Sequence, residues 1–264
     1  MDSAGERPRT NDKKLKDYYG EIMRISEPNL EAISVGAPVD GTPAARPQRT
    51  TLDGRVVRIA PLDPLTHAAS LFEGSSGQEN EPLWRYLFEG PFHTRDDFDS
   101  NLKEKAISED PLFFAILDKP SGDAVGYASY MRIEPAHRVI EVGSILFTPR
   151  LQRTIGATEA MYLMARHVFE DLGYRRYEWK CNALNAPSRR AALRLGFTFE
   201  GVFRQHMIIK GRNRDTAWFS MLDSEWPTRK AAFERWLDPS NFDANGRQRM
   251  PLSALNFKIE NGGS

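Results

Sequence analysis

Cysteine is nearly absent from this sequence: Cys181 is the single one among 264 residues, which excludes a disulfide within it and any cysteine-rich metal site. That scarcity fits a reducing compartment, and a cytoplasmic location is the expectation. Net charge is missing too. Thirty-six Lys plus Arg offset 36 Asp plus Glu, so nothing in the balance draws the chain to nucleic acid or to an anionic membrane. No apolar run approaches the roughly 20 residues that span a bilayer. The opening MDSAGERPRTNDKKLKD mixes acids with bases around no apolar centre, unlike a secretory or transit peptide. The glycine spacing of a Walker loop or a Rossmann fingerprint does not occur. His137 and His206 have no partner at metal-ligand spacing, so they read as structural or substrate-lining, and no metal is expected.

What is present is a globular composition, 40% hydrophobic and 27% charged, sufficient for a substantial core. Prolines at 8, 28, 38, 43 and 47 within a charged, aperiodic stretch make residues 1–50 an extended arm. Residues 51–237 form the domain, and residues 238–264, with Asp238-Pro239 and Asn245-Gly246, have the composition of a tail.

Inside the domain, residues 55–60, 112–117, 124–133, 139–147, 176–181, 198–209 and 216–222 read as strands. Residues 65–72, 96–108, 158–172, 185–195 and 229–237 read as helices. The helix at 158–172 is apolar over a wide stripe and is stopped by Gly173, which marks it as heavily buried. It joins two strands, so the crossover is right-handed and the pair parallel, inside a sheet whose other short connectors imply antiparallel pairing. The hairpin at the C-terminal side turns through residues 210–214.

The junction Phe147-Thr-Pro-Arg-Leu-Gln-Arg-Thr-Ile-Gly-Ala-Thr-Glu-Ala160 sets a loop of small residues between a strand and the start of the buried helix. Such a junction is either an ordinary connection or a phosphate cradle, because the first amides of a helix lack partners and sit at its positive end. Arg150 and Arg153 add charge there.

This segment resembles motif A of the GNAT acetyltransferases, Gln/Arg-x-x-Gly-x-Gly/Ala, with Gln152 at the first position and Ala157 at the last. Ile155 stands where the middle glycine is usual, and Gly156 follows one place later. Downstream, Asn185-Ala-Pro-Ser188 and Leu195-Gly-Phe197 resemble the branch that includes the RimJ and RimL type ribosomal-protein acetyltransferases, as does the hairpin ending Asp215-Thr-Ala-Trp-Phe-Ser220. The resemblance covers residues 52–225.

It implies a mixed α/β GNAT fold whose mostly antiparallel sheet is flanked by helices and contains a splayed parallel pair, 139–147 and 176–181. It further implies acetyl-CoA as acyl donor, with Phe147, Gln152, Arg153, Thr154, Ile155, Gly156, Ala157 and Thr158 around the diphosphate. Asn185 would cap its helix, contact the pantetheine arm, or do both. Arg189, Arg190 and Arg194 would be solvated, with some of them at the 3′-phosphate.

The implied activity is transfer of an acetyl group to a primary amine, on a small molecule or a peptide, in a ternary complex. The enzyme would be a monomer or homodimer. The other reading is a catalytically silent protein that binds coenzyme A, motivated by Ile155 and by Ala192, which stands where many GNAT enzymes have a tyrosine acid.

Deprotonating an alkylamine at pH 7 costs about 4.6 kcal/mol, and an α-amine about 1.4 kcal/mol, so a lysine-like acceptor needs far more help from a base. Glu141 interrupts an apolar strand beside the expected cleft and is either that base or an ion-pair partner of Arg132 or His137. Ser188 is either the acid at the departing sulfur or a residue satisfying the first turn of its helix. A backbone N–H within residues 144–147 is the expected oxyanion donor. The segment 83–88, which contains Trp84 and Tyr86, together with Phe92, is either core or an aromatic wall over the acceptor, to which His206 would contribute.

Overall fold

The computed structural model describes residues 36–260, so most of the arm expected over residues 1–50, and the last four residues, fall outside the described part. The compact unit begins at Gly41. Within it, strands β1 (Leu52–Asp53), β2 (Val57–Pro61), β3 (Leu112–Asp118), β4 (Ala124–Glu134), β5 (Val139–Phe147), β6 (Arg176–Asn182), β7 (Thr198–Ile209) and β8 (Arg212–Leu222) form one sheet. The order is β1-β2-β3-β4-β5-β6-β8-β7, and every neighbouring pair is antiparallel except β5 with β6.

Helices α1 (Pro64–Ser75), α2 (Arg95–Ile107), α3 (Ile155–Arg166), α4 (Ala186–Arg194), α5 (Trp226–Leu237) and α6 (Leu252–Glu260) cover the sheet. Strand β3 shows why two layers are needed. Leu112, Phe114 and Ile116 point into one core with Met164, Phe233 and Leu252, whereas Phe113 and Ala115 point into the other with Leu71, Phe98 and Leu102. A strand apolar on both faces must be covered on both. No helix among the described residues is long and apolar enough to cross a membrane.

Residues 44–50 of the expected arm lie against the domain: the Ala44 and Ala45 amides donate to Pro135 and Leu172 carbonyls at 3.0 and 3.1 Å, and Arg49 pairs with Glu109 at 2.6 Å. Two local features differ from the sequence reading. Residues 238–264 are not simply a tail, because α6 buries Leu252 and Leu255 (0% and 1% exposed) and Asn256 donates to the Arg194 carbonyl at 3.1 Å. Its two apolar anchors are too few to stand out from loop composition. The β7–β8 turn is two residues, Lys210 and Gly211, both at positive φ (50° and 71°), so residues 212–214 lie in β8. Lysine rarely adopts that conformation, which hid a tight turn usually marked by Asn-Gly.

Two bulges distort the β4–β5 pair. Between Tyr127/Leu146 and Ser129/Gly143, β5 carries one extra residue, and Ser144 takes φ of 47°. Between Met131/Glu141 and Glu134/Val139 the extra residue is in β4, with Arg132 at φ 48° and the Arg132 and Ile133 amides held by Asp110 at 2.8 and 3.0 Å. Bulges of this kind bend a strand and re-aim its side chains.

Candidate active site

The parallel pairing of β5 with β6 runs through Val139↔Arg176, Ile140↔Tyr177, Glu141↔Glu178 and Val142↔Trp179, and there it stops. Both strands continue, to Phe147 and Asn182. The β5 bulge immediately beyond Val142 turns that strand away from its neighbour, so a wedge opens between them. A cavity of about 560 Å³ occupies the wedge, walled by residues 141–147 on one side and by Trp179, Lys180 and Cys181 on the other. A second cavity, of about 600 Å³, shares Phe147, Trp179 and Ala191 with the first and continues to the start of α3. Together they form a channel from the helix terminus to the centre of the sheet.

At the far end, Thr154 caps α3 by accepting from the Ala157 amide at 3.2 Å. The Ile155 and Gly156 amides have no hydrogen-bond partner among the described residues. Arg153 at φ 61° turns the chain into the helix, and Gln152 donates to the Phe147 carbonyl at 2.9 Å, closing the loop. The helix is pinned from behind. Buried Glu159 accepts from the amides of Arg55, Val56 and Val57 at 2.9, 2.7 and 2.9 Å. Arg194 reaches the same end of the channel, donating to Thr158 at 3.1 Å.

At the centre, Trp179 and Cys181 share one face of β6 and meet Ser188 of α4. The Trp179 indole N–H donates to Ser188 Oγ at 3.0 Å, and Asn185 accepts from the Ser188 amide at 3.1 Å. With one lone pair of Oγ engaged, the Ser188 hydroxyl proton is available to an acceptor in the wedge. Burial pushes the Cys181 thiol above its ordinary value, against the opposing influence of Ser188 and of the Arg214 and Arg189 charges. Cys181 is therefore a buried wall residue and not a thiolate.

Glu141 sits on the opposite wall at 3% exposure. Its surroundings are not apolar: Arg132 Nη1 and Lys180 Nζ contact Oε2 at 2.7 and 3.0 Å. Lys180 also pairs with Glu178 at 2.6 Å and lies 3.9 Å from the centre of the Trp218 ring. Because both cations take Oε2, Oε1 has no hydrogen-bond partner among the described residues. The arrangement has the parts of an acyl-transfer site: unpaired amides at a helix terminus, a channel for an extended chain, and a carboxylate and a hydroxyl on the same cavity.

Comparison with known proteins agrees with this geometry. The family model described as an acetyltransferase (GNAT) domain matches residues 57–198. The solved GCN5-related N-acetyltransferase from Brucella melitensis is 51% identical, covers 83% of this chain and 99% of its own, and superposes with a TM-score of 0.81. The chain belongs to the GNAT acetyltransferase family.

A probable GNAT acetyltransferase from Chromobacterium violaceum is 40% identical over 74% of this chain and 98% of its own, with a TM-score of 0.68. The ribosomal-protein-serine acetyltransferase of Escherichia coli is 28% identical over 104 residues, 39% of this chain and 58% of that protein. The chain spans about three fifths of the length of the curated relatives it matches.

Within this GNAT domain, the expected residues divide. Phe147, Gln152, Asn185, Ser188, Glu141 and Tyr86 wall the first cavity, and Arg153, Thr154, Ile155, Ala157 and Thr158 the second. Gly156 walls neither: a Cβ there would lie 2.8 Å from Val57 Cγ1, so its small size serves the close approach of α3 to β2. Trp84 is 1% exposed, gives its indole N–H to the Ser75 carbonyl and is core, and half-buried Phe92 packs edge-on against it and walls neither cavity. His206 hydrogen-bonds Thr216 at 2.9 Å on the outer side of β8 and walls neither cavity. Ala192 is buried in the core, so the tyrosine position of other GNAT enzymes does not face this channel.

Sequence reading missed Trp179, Lys180 and Arg214. The alternation of residues 176–181 is legible, but only the wedge shows that its far end walls a cavity. Arg214 was hidden inside the overlong turn.

Proposed function

We propose that the protein transfers an acetyl group from acetyl-CoA to a primary amine. The observation that carries the reading is the end of β5–β6 pairing at Val142/Trp179, beyond which a channel leads from the wedge to the start of α3 at Ile155. The donor fits these residues. The Ile155 and Gly156 N–H groups at the positive end of α3, with Arg153 and Arg194, would hold its diphosphate, and the open backbone edge beyond Val142 would take its extended arm.

Acetyl-CoA supplies an activated acyl carbon, and the chain's residues do the rest. Glu141 Oε1 takes a proton from the incoming amine, directly or through water, as its nitrogen bonds to the acyl carbon. Backbone N–H groups near Ser144, released from the ladder by the bulge, face the developing negative charge on the acyl oxygen. The carbon–sulfur bond then breaks. Ser188 donates to the departing sulfur and recovers its proton from solvent. The relative named ribosomal-protein-serine acetyltransferase supports an acceptor of peptide type.

The test is release of free thiol from acetyl-CoA across amines and peptides, with calorimetric titration of coenzyme A in parallel. Turnover with binding is expected. Binding without turnover for any amine would leave the silent, coenzyme A-binding reading standing, and absence of binding would end both.

A further inference from the structure

Resting on the acetyltransferase reading, we infer that the acceptor amine carries a carboxylate and that Arg214 binds it. Arg214, on β8, walls the first cavity beside Met131, Glu141 and Phe88 and is 7% exposed. Its guanidinium makes no hydrogen bond and no ion pair among the described residues; Nε is buried without a partner, and its ring contact is Phe88 at 5.4 Å. A buried cation without an anion is unfavourable, and it persists where a ligand supplies the missing charge.

Glu141, on the same cavity, acts on Arg214 through its charge, but no carboxylate among the described residues contacts the guanidinium. Arg132, Glu141, Lys180, Glu178, Arg176 and Glu200 form a chain of contacts in which cation and anion alternate, three of each, so every carboxylate in it is engaged. Arg214 stands outside this chain as the surplus positive charge. The surplus is felt nearby: burial and then Arg132, Arg214 and Lys180 hold the His206 imidazole below its ordinary value, with Glu141 alone opposing them. Burial likewise lowers Arg214 itself.

The donor's phosphates are not the partner. Ile155, whose amide is free, and Arg194 suit them and wall the second cavity, and Arg214 does not. A guanidinium offers a planar fork that matches a carboxylate in two parallel hydrogen bonds. One surplus positive charge neutralises one negative charge, which favours a carboxylate over a phosphate dianion.

The experiment compares acceptors with and without a carboxylate: L-serine against L-serinamide, with rates taken per neutral amine, and the peptide amide Ser-Glu-Ala against Ser-Gln-Ala. The first pair reads an α-carboxylate and the second a side-chain carboxylate. In at least one pair the acid should exceed its neutral partner by about tenfold to a hundredfold in kcat/KM, a ratio that Arg214→Gln should reduce to about one. Arg214→Lys should retain part of it. The same preference should appear without turnover when N-acetylserine and N-acetylserinamide are titrated into full-length protein saturated with coenzyme A. Equal use and equal binding within each pair, or a preference that survives in Arg214→Gln, overturns the inference. Efficient acetylation of neutral amines with no acid preference sinks only the role of Arg214. Failure to bind coenzyme A sinks the underlying reading.

Discussion

Glu141→Gln separates a proton acceptor from a structural ion-pair partner, because the two cations on Glu141 share one oxygen. The substitution keeps the side chain's shape and removes its charge. Lys180, 3% exposed at its side chain, keeps Glu178 and the Trp218 ring, whereas Arg132, 39% exposed, is left to solvent. The stability loss should therefore be about 1–3 kcal/mol, below the 3–5 kcal/mol typical when a buried pair loses a partner outright.

The rate should suffer more. Removal of a positioned base costs about 10²–10⁴-fold, and this loss should appear in kcat while coenzyme A affinity stays unchanged. Arg132→Gln supplies the contrast, since it removes an Oε2 contact and leaves Oε1 in place. It should cost about 1 kcal/mol of stability or less, given its solvent exposure, and less than about tenfold in kcat. Urea unfolding and steady-state thiol release on both variants give the comparison. If Glu141→Gln keeps the full rate at every pH from 6 to 9, Glu141 is an ion-pair residue and the base lies elsewhere.

Ser188→Ala should lower kcat by about tenfold with little change in KM, and removing the acceptor for the Trp179 indole should cost about 1 kcal/mol of stability; an unchanged kcat would assign sulfur protonation to water. Gly156→Ala should destabilise the fold by about 1–3 kcal/mol in urea, since its Cβ would lie 2.8 Å from a buried Val57 methyl; a neutral or stabilising outcome would mean that α3 can slide on β2. The Arg176 guanidinium beside Glu200 holds that carboxyl below its ordinary value of 4.5. The unfolded chain thus binds the proton first, so this contribution is present above 4.5 and is lost as pH falls through the lower folded value. Glu200→Gln should flatten the decline of unfolding free energy measured between neutral pH and pH 3, and an unaltered slope would remove the coupling.

Much of the order of elements was readable from periodicity. The apolar stripe over residues 158–172 and the alternation of residues 176–181 announce a helix between two strands, and chirality makes those strands parallel. The sites that resisted reading are those where local preference yields to packing. Lys210 holds a left-handed turn because Gly211 follows and because Nζ is taken by the Trp84 and Glu89 carbonyls, 2.9 and 2.8 Å away. Trp84 looks like a wall residue in a string of aromatics, yet it fills the core between α1 and α2.

By itself, the chain's pattern of apolar spacing, caps and short connectors determined most of the elements and their order, because these follow from interactions between residues close in sequence. Which side chains share the wedge was decided only by tertiary structure. Bulges at Arg132 and Ser144 rotate side chains by amounts that no periodicity encodes, bringing Arg132 onto Glu141 and freeing the edge of β5. The solitary charge of Arg214 likewise emerges only when residues far apart in sequence are counted together, since an ion's partners are set by distance in space.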